Sequence, residues 1–360
     1  MAMTIVEAAP AITGGVDTHL DTHVAAALDS LGGLLGTASF EVTPAGYRAL
    51  LDWLEGFGEL RKVGVEGTGS YGTGLARYLR SRGVEVIEVD RPNRAERRRS
   101  GKSDPLDATE AARAALGGRA KGLAKSKDGA VEALRVLLVA KRSARQARVK
   151  AITQMRHLGI TAPDELRERL HGLTAKALVS EASGMRPGRS VDVVTKATKT
   201  SLTSPAHRVQ ALDEEIAELE TMIEHLVAET APELLERFGI GPDTAASLLV
   251  AAGDNPERLR SEAAWAHLCG AAPIPASSGK TSGRHRLDNG GDRQANSALW
   301  RIVMVRIAHD PRTTAYFERR VKDGLSKRDA IRHPEALRRP RGVSLPASRL
   351  APRSWAWLSP

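Results

Sequence analysis

The sequence predicts an α/β domain at the N-terminus, a helical middle and a mainly helical C-terminal domain. Three observations carry this reading. Short strand-like apolar runs fill the first quarter of the chain and are broken by helical patterns. A long basic helical stretch then precedes an apolar seam with residues three and four apart. After that, a glycine-flanked isoleucine at 239–241 opens a different unit, and a helix start follows it at once.

Taken in order, Ile12 to Ser30 and Leu34 to Val42 offer three short strands, separated by turn residues between Asp29 and Gly33. Pro44 suits a first helical turn, and Tyr47, Leu50, Leu51 and Leu54 fall on one face of the helix it would open. A strand at Lys62 to Glu66, a helix near Tyr71 to Arg82 and a strand at Val84 to Val89 follow. Asp104 and Pro105 then mark another helix start. The order βββαβαβ plus a helix is that of an RNase H-like fold, a mixed five-stranded sheet. Such a sheet gathers acidic residues from its first strand, its fourth strand and a late helix.

Four carboxylates occupy those three places: Asp17 in Gly-Val-Asp-Thr-His, Glu66 in Val-Gly-Val-Glu-Gly-Thr-Gly, and Asp104 with Asp107 in Lys-Ser-Asp-Pro-Leu-Asp-Ala. Hard oxygen donors of this kind hold Mg2+ or Mn2+, and an ion so held stabilises the attacking and leaving oxygens of a phosphodiester displacement. Asp104 has a second reading as a helix cap, with Asp107 facing inward one turn later. His19, Asp21 and His23 follow Asp17 at period two and are expected to orient or line the site rather than to bind metal. Gly67, Gly69 and Gly72 would let a backbone or phosphate approach Glu66, and serve a tight strand-to-helix connection equally well.

Between Arg119 and Arg156 eleven Lys or Arg face two acidic residues, Asp128 and Glu132, and Val131 to His157 reads as one long helix. Its basic side suits a nucleic-acid backbone, though charge runs also serve simply as solvated faces. Val209, Leu212, Ile216, Leu219, Ile223 and Leu226 then form a seam of about three heptads, fit for pairing with the preceding helix or for dimerisation. Gly239 and Gly241, on either side of Ile240, resemble the hairpin of a helix-hairpin-helix element, whose N–H groups contact a phosphate; a plain packing corner reads the same way.

Composition bounds the rest. Lys and Arg total 53 against 43 Asp and Glu, a formal charge of +10, which suits a polyanionic partner and also an ordinary basic protein. Cys269 is the only cysteine, which excludes an intrachain disulfide and a cysteine-based zinc knuckle. No apolar run approaches the roughly 18 to 20 residues of a membrane span, and the N-terminus lacks an export pattern, so a cytoplasmic protein without membrane contact is expected.

The four acidic contexts in order, followed by Gly-Ala-Ala-Pro-Ile-Pro-Ala-Ser-Ser-Gly at 270–279 and Gly-Gly-Asp-Arg-Gln-Ala-Asn at 290–296, resemble one family. It is the DEDD transposase family of bacterial insertion sequences, the "one-ten" group of bridge-RNA-guided recombinases. The resemblance covers about residues 12 to 332. It implies a RuvC-like domain (1–118) whose metal is held by Asp17, Glu66, Asp104 and Asp107, a basic helical and coiled-coil region (119–230), and a C-terminal domain (231–332) bearing a nucleophilic serine. Ser278 is the serine before glycine that the family uses, with Ser277 and Ser282 close by as alternatives. Lys280, Arg284, His285, Arg286 and Arg293 would surround it with positive charge. Arg293 and Asn296 match the family's Gly-Gly-x-Arg-x-x-Asn pattern. The implied partners are donor and target DNA, a noncoding guide RNA and further copies of the chain, as a dimer or tetramer.

Two other functions fit the same residues: a Holliday-junction type nuclease in which the carboxylates activate water, and a nucleic-acid-binding protein with a dead nuclease core. Residues 333–360 depart from the family. They hold five prolines and two tryptophans where another basic helix is expected, which suggests an altered tail.

Overall fold

The computed structural model describes residues 10–89, 103–120, 122–186, 188, 192–259, 261–275, 285–287 and 290–332; the tail singled out above lies outside them. The chain divides into two compact units. The first runs to Gly129 and regains a short segment beginning at Gly253; the second takes the chain from Ala130 to Ala252 and from Ser261 onward.

In the first unit the elements are β1 (Ala11–Thr18), β2 (Thr22–Leu28), β3 (Leu34–Glu41), α1 (Pro44–Glu55), β4 (Glu59–Glu66), α2 (Thr73–Ser81), β5 (Glu85–Val89), α3 (Asp104–Leu116) and β6 (Gly122–Leu123). The strands form one sheet in the order β3-β2-β1-β4-β5-β6. β1 pairs in parallel with β4 and β4 with β5, while β1–β2, β2–β3 and β5–β6 are antiparallel. This is the RNase H-like arrangement expected from the element order, with six strands rather than five. The extra strand, β6, is two residues long, too short for alternation to announce it.

Helices cover the two faces in different ways. On one face Val16, Val63, Val65 and Val86 pack with Leu50, Leu51 and Leu54 of α1 and Leu75 and Leu79 of α2 in a single apolar cluster. Fully burying each such leucine is worth roughly 1.5–3 kcal/mol. α1 starts where the sequence indicates, because the Thr43 hydroxyl accepts the Gly46 N–H at 3.0 Å and Pro44 fixes the first turn. The opposite face has almost no side chain between sheet and helix. Gly15 and Gly64 are register partners on β1 and β4. A Cβ on Gly15 would meet Ala108 O and Ala112 N at 2.2 Å, and one on Gly64 would meet Ala111 O at 2.4 Å. The alanine-rich α3 therefore lies directly on the strand backbones, with Ala108, Ala111, Ala112 and Ala115 buried.

In the segment from Gly253, the Asn255 side chain binds back to this unit. Asn255 donates from Nδ2 to Ala124 O at 2.9 Å and accepts the Ser126 N–H at Oδ1 at 3.1 Å, much as a neighbouring strand would.

The second unit is built on α4 (Ala130–Ile160) and α7 (Val193–Thr230), with α5 (Asp164–Leu170) and α6 (Ala175–Ser183) between them in sequence. Arg148 pairs with Asp213, and one heptad earlier on α4 and one later on α7 Lys141 pairs with Glu220 at 2.9 Å. Those two pairs fix an antiparallel hairpin, so the apolar seam pairs within the chain. Val209 and Ile223 of that seam are fully buried, while Leu212, Ile216 and Leu219 are half-buried. α8 (Pro232–Leu235), α9 (Pro242–Ala252), α10 (Glu262–Leu268), β7 (Pro273–Pro275), β8 (His285–Leu287), α11 (Arg293–His309), α12 (Pro311–Lys322) and α13 (Lys327–Arg332) complete the unit. Among the described residues no helix is long and apolar enough to cross a membrane.

Candidate metal centre and the C-terminal loop

The flat seating of α3 positions the acidic residues. Asp17 and Glu66 stand two residues beyond Gly15 and Gly64 on adjacent parallel strands, so both side chains leave the sheet on the α3 face. The Thr18 hydroxyl donates to Glu66 O at 2.8 Å and ties the two strand ends together. Asp104 and Asp107 lie in the first turn of α3, where the helix dipole favours anions. Asp107 is buried and Asp104 half exposed. Ser103, not Asp104, is the N-cap residue.

His19 stands between two of these carboxylates. Its Nε2 is 3.2 Å from Asp17 Oδ2 and 3.4 Å from Asp104 Oδ1. Asp17 Oδ2 and His19 Nε2 are both buried, and among the described residues neither has a hydrogen-bond partner in good geometry. Burial raises the Asp17 pKa above its ordinary value, and the nearby Asp107 and Asp104 carboxylates raise it further, against an opposing effect of His19. A buried carboxylate crowded by like charges is a donor that a cation would neutralise. One ligand atom each from Asp17, His19 and Asp104 lies within 4.8 Å of the others, which suits a divalent ion. Asp107 acts electrostatically on Asp17, and Glu66 leaves the sheet on the same face.

Asp21 and His23 do not join the site. The chain leaves β1 at Thr18 and turns, with His19 N–H donating to Thr22 O at 3.1 Å, so Asp21 ends exposed in the hairpin. His23 pairs in register with Thr18, points to the other face and stacks on Tyr47 with 5.8 Å between ring centroids. Burial lowers its pKa and keeps the ring neutral. Of the glycines after Glu66, Gly67 has φ +69, a left-handed turn that requires glycine, and Gly72 packs 3.0 Å from Glu66 O, counted from the Cβ it lacks. Gly69 faces open space.

In the second unit, Ser278, Ser277, Lys280 and Arg284 lie outside the described residues. The strands β7 and β8 that flank them pair antiparallel, Ile274 opposite Arg286, which brings the two ends of that segment together. The Gly-Gly-Asp-Arg-Gln-Ala-Asn stretch has a clear local architecture. Asp292 caps α11 by accepting the Gln294 and Ala295 N–H groups, and a Cβ on Gly291 would sit 2.1 Å from Gly270 N. Asn296 donates from Nδ2 to Cys269 O at 3.0 Å and to Gly270 O at 3.3 Å, at the start of the chain that leads into β7. Arg293 is exposed at the first position of α11. Cys269 is fully buried, and burial followed by the Asp292 charge pushes its thiol pKa far up, so it is no nucleophile.

The other expected nucleic-acid contacts are partly engaged inside the unit. Gly239 has φ +84 and packs against Arg306 and Ile302, and the Gly241 N–H donates to Thr244 Oγ1 at 3.0 Å. On the basic helix, Lys141 is buried with Asp243 at 2.6 Å and Glu220 at 2.9 Å, while Arg135 pairs with Glu132 and Arg148 with Asp213. Lys150 and Arg156 are left exposed on that helix.

Two family models match the chain: a DEDD transposase of the IS110 kind over residues 14–158, and the transposase family IS116/IS110/IS902 over residues 231–318. The chain belongs to this IS110 family of transposases. The first match spans the four carboxylates and the second spans the Gly239 hairpin, residues 270–279 and Asn296. An IS900 insertion-element 42 kDa protein of Mycobacterium paratuberculosis is 31% identical over 131 residues, 35% of this chain and 32% of its own. An IS110 insertion-element 43.6 kDa protein of Streptomyces coelicolor is 28% identical over 154 residues, 42% and 36% of the two chains. The aligned stretches thus span about a third of each relative's length.

Proposed function

We propose that this chain is the recombinase of an insertion element, cutting and rejoining DNA strands through a covalent phosphoserine link, with sites chosen by a noncoding guide RNA. The observation that carries the reading is the convergence of Asp17, Glu66, Asp104 and Asp107 on one sheet face, in a chain whose second matched region holds the Ser278 segment. A bound Mg2+ or Mn2+ would supply charge stabilisation at the attacking and leaving oxygens. Asp17, Glu66, Asp104 and Asp107 would hold that ion at the C-terminal ends of β1 and β4 and the start of α3. Ser278 Oγ forms a bond to phosphorus and gives up its proton; the phosphorus–oxygen bond to the neighbouring nucleotide breaks, and the departing oxygen takes a proton. In rejoining, a strand hydroxyl attacks the phosphoserine and returns the serine. Lys280, Arg284, Arg286 and Arg293 neutralise the phosphate, and Asn296 holds the turn that leads into the serine segment. Guide-RNA pairing and a dimeric or tetrameric assembly rest on the family resemblance, as does donor and target DNA as the substrate; base pairing would then choose sequence while the protein contacts backbone and shape.

The test is a denaturing gel with end-labelled DNA, the RNA transcribed from the sequence flanking the gene, and Mg2+. Wild type is expected to give a protein–DNA adduct, lost in Ser278→Ala. Cleavage without an adduct supports the nuclease reading instead, since hydrolysis by activated water leaves none. An adduct that persists in Ser278→Ala moves the nucleophile to Ser277.

A further inference from the structure

The four-carboxylate centre leaves one side chain out of account. We propose that His19 is a nitrogen ligand of the metal centre and tilts it toward Mn2+ over Mg2+. The proposal rests on the metal reading given above and adds to it a donor of a different chemical kind.

Three observations support it. First, the imidazole sits between acids from two separate elements, with Nε2 3.2 Å from Asp17 Oδ2 on β1 and 3.4 Å from Asp104 Oδ1 on α3. Adjacent ligands of an octahedral ion with bonds of about 2.1 Å lie about 3 Å apart, so closing these gaps takes a few tenths of an ångström. Second, His19 Nε2 and Asp17 Oδ2 are both buried atoms without a well-aligned hydrogen-bond partner among the described residues, although they face each other. Their alignment does not suit a hydrogen bond, whereas a shared cation would take both atoms as ligands. The Asp17 side chain is 8% exposed, so little water reaches its carboxylate, while the His19 side chain is 41% exposed. Third, the hairpin turn fixes the ring's approach. The His19 N–H donates to Thr22 O at 3.1 Å, which holds the backbone at the point where β1 ends. His23, the other histidine of that hairpin, is buried against Tyr47 on the far face of the sheet.

The chemical consequence is selectivity. Carboxylate oxygens alone suit Mg2+, which holds its water tightly and demands oxygen, whereas imidazole suits first-row transition ions. A His-containing site therefore discriminates between two ions of equal charge that an all-carboxylate site treats more alike.

The experiment titrates the full chain with Mn2+ and, separately, Mg2+ by calorimetry, and records pulsed electron paramagnetic resonance of the Mn2+-bound protein. Wild type, His19→Ala and His19→Asn are compared, with circular dichroism and melting curves to certify folding. The wild type is expected to show a 14N coupling to Mn2+ and to bind Mn2+ at least about 10-fold more tightly than Mg2+. Both variants should lose the coupling and bind Mn2+ about 10- to 100-fold more weakly, while Mg2+ affinity stays within about 3-fold. Mn2+ binding without a 14N coupling, or an unchanged Mn2+ to Mg2+ ratio in the variants, overturns the role of His19 and leaves the carboxylate centre standing. Failure of both ions to bind the wild type overturns the metal centre itself, and this inference with it.

Discussion

Gly15 and Ala108 are in backbone contact: a Cβ added to the glycine would lie 2.2 Å from the alanine's carbonyl oxygen. Since β1 and α3 carry Asp17 and Asp107 just beyond and just before that contact, it sets the depth at which two of the acids meet. Gly15→Val should force α3 off the sheet. Overpacking of this kind costs about 3 kcal/mol, read as a shift in the urea midpoint, and divalent-ion binding should fall with it. A variant that melts like wild type and still binds Mn2+ would show that α3 can slide, and the contact would lose its importance.

Asp17 gives a prediction of opposite sign for stability and function. Burial and the neighbouring acids raise its pKa above the ordinary 3.8, so the folded state binds a proton more readily than the unfolded chain. The contribution of this group to stability is present below the unfolded value and lost as pH rises through the folded one. At neutral pH the metal-free fold carries that penalty in full. Asp17→Asn should therefore raise the melting temperature of the metal-free protein at pH 7 and have little effect near pH 3, while abolishing DNA cleavage. Adding Mn2+ should stabilise wild type and leave the variant almost unmoved.

The strands and the acids were legible because period-two patterns and a proline two residues from an acid leave marks in the sequence. Gly15 and Gly64 leave none, since a residue without a side chain adds nothing to a hydrophobic pattern; their role appears only once α3 is seen against them. His19 was legible as a neighbour of Asp17 but not as a companion of Asp104, because that meeting depends on a turn and a helix 85 residues later in a chain of 360. The same turn removes Asp21, which period two alone would keep on the site's face. Charge counting likewise sees Lys141 as one of eleven cations, whereas its partner Asp243 lies 102 residues on.

Lys141 therefore behaves as a core residue of the hairpin. It is 4% exposed and holds Asp243 at 2.6 Å and Glu220 at 2.9 Å. Removing one partner of a buried pair leaves the others uncompensated, at about 3–5 kcal/mol for full burial. Asp243 and Glu220 are 33% and 53% exposed, so water screens part of that. Lys141→Met should cost roughly 2 kcal/mol, and Asp243→Asn in the same chain should recover part of it. Nucleic-acid affinity at fixed salt should change little once the variant is folded; a loss as large as that of Lys150→Ala would place Lys141 on the binding face after all.

Arg293 and Asn296 belong to one short motif but are predicted to fail in different ways. Arg293 is exposed at the start of α11, with no partner among the described residues, so Arg293→Ala should leave the melting curve unchanged. It should weaken DNA binding and lower the slope of log affinity against log salt by about 0.9, the value for one phosphate contact on a duplex. The Asn296 amide instead serves Cys269 O and Gly270 O, the carbonyls that end α10 and lead into β7. Asn296→Ala deprives both of a donor and should cost about 1–3 kcal/mol. Hydrogen exchange should accelerate around residues 269–275, and the salt slope should hold. The comparison decides between a contact residue and a positioning one. If Asn296→Ala leaves stability intact and reduces the salt slope as Arg293→Ala does, Asn296 reads the phosphate directly, and the hydrogen bonds to the turn are incidental.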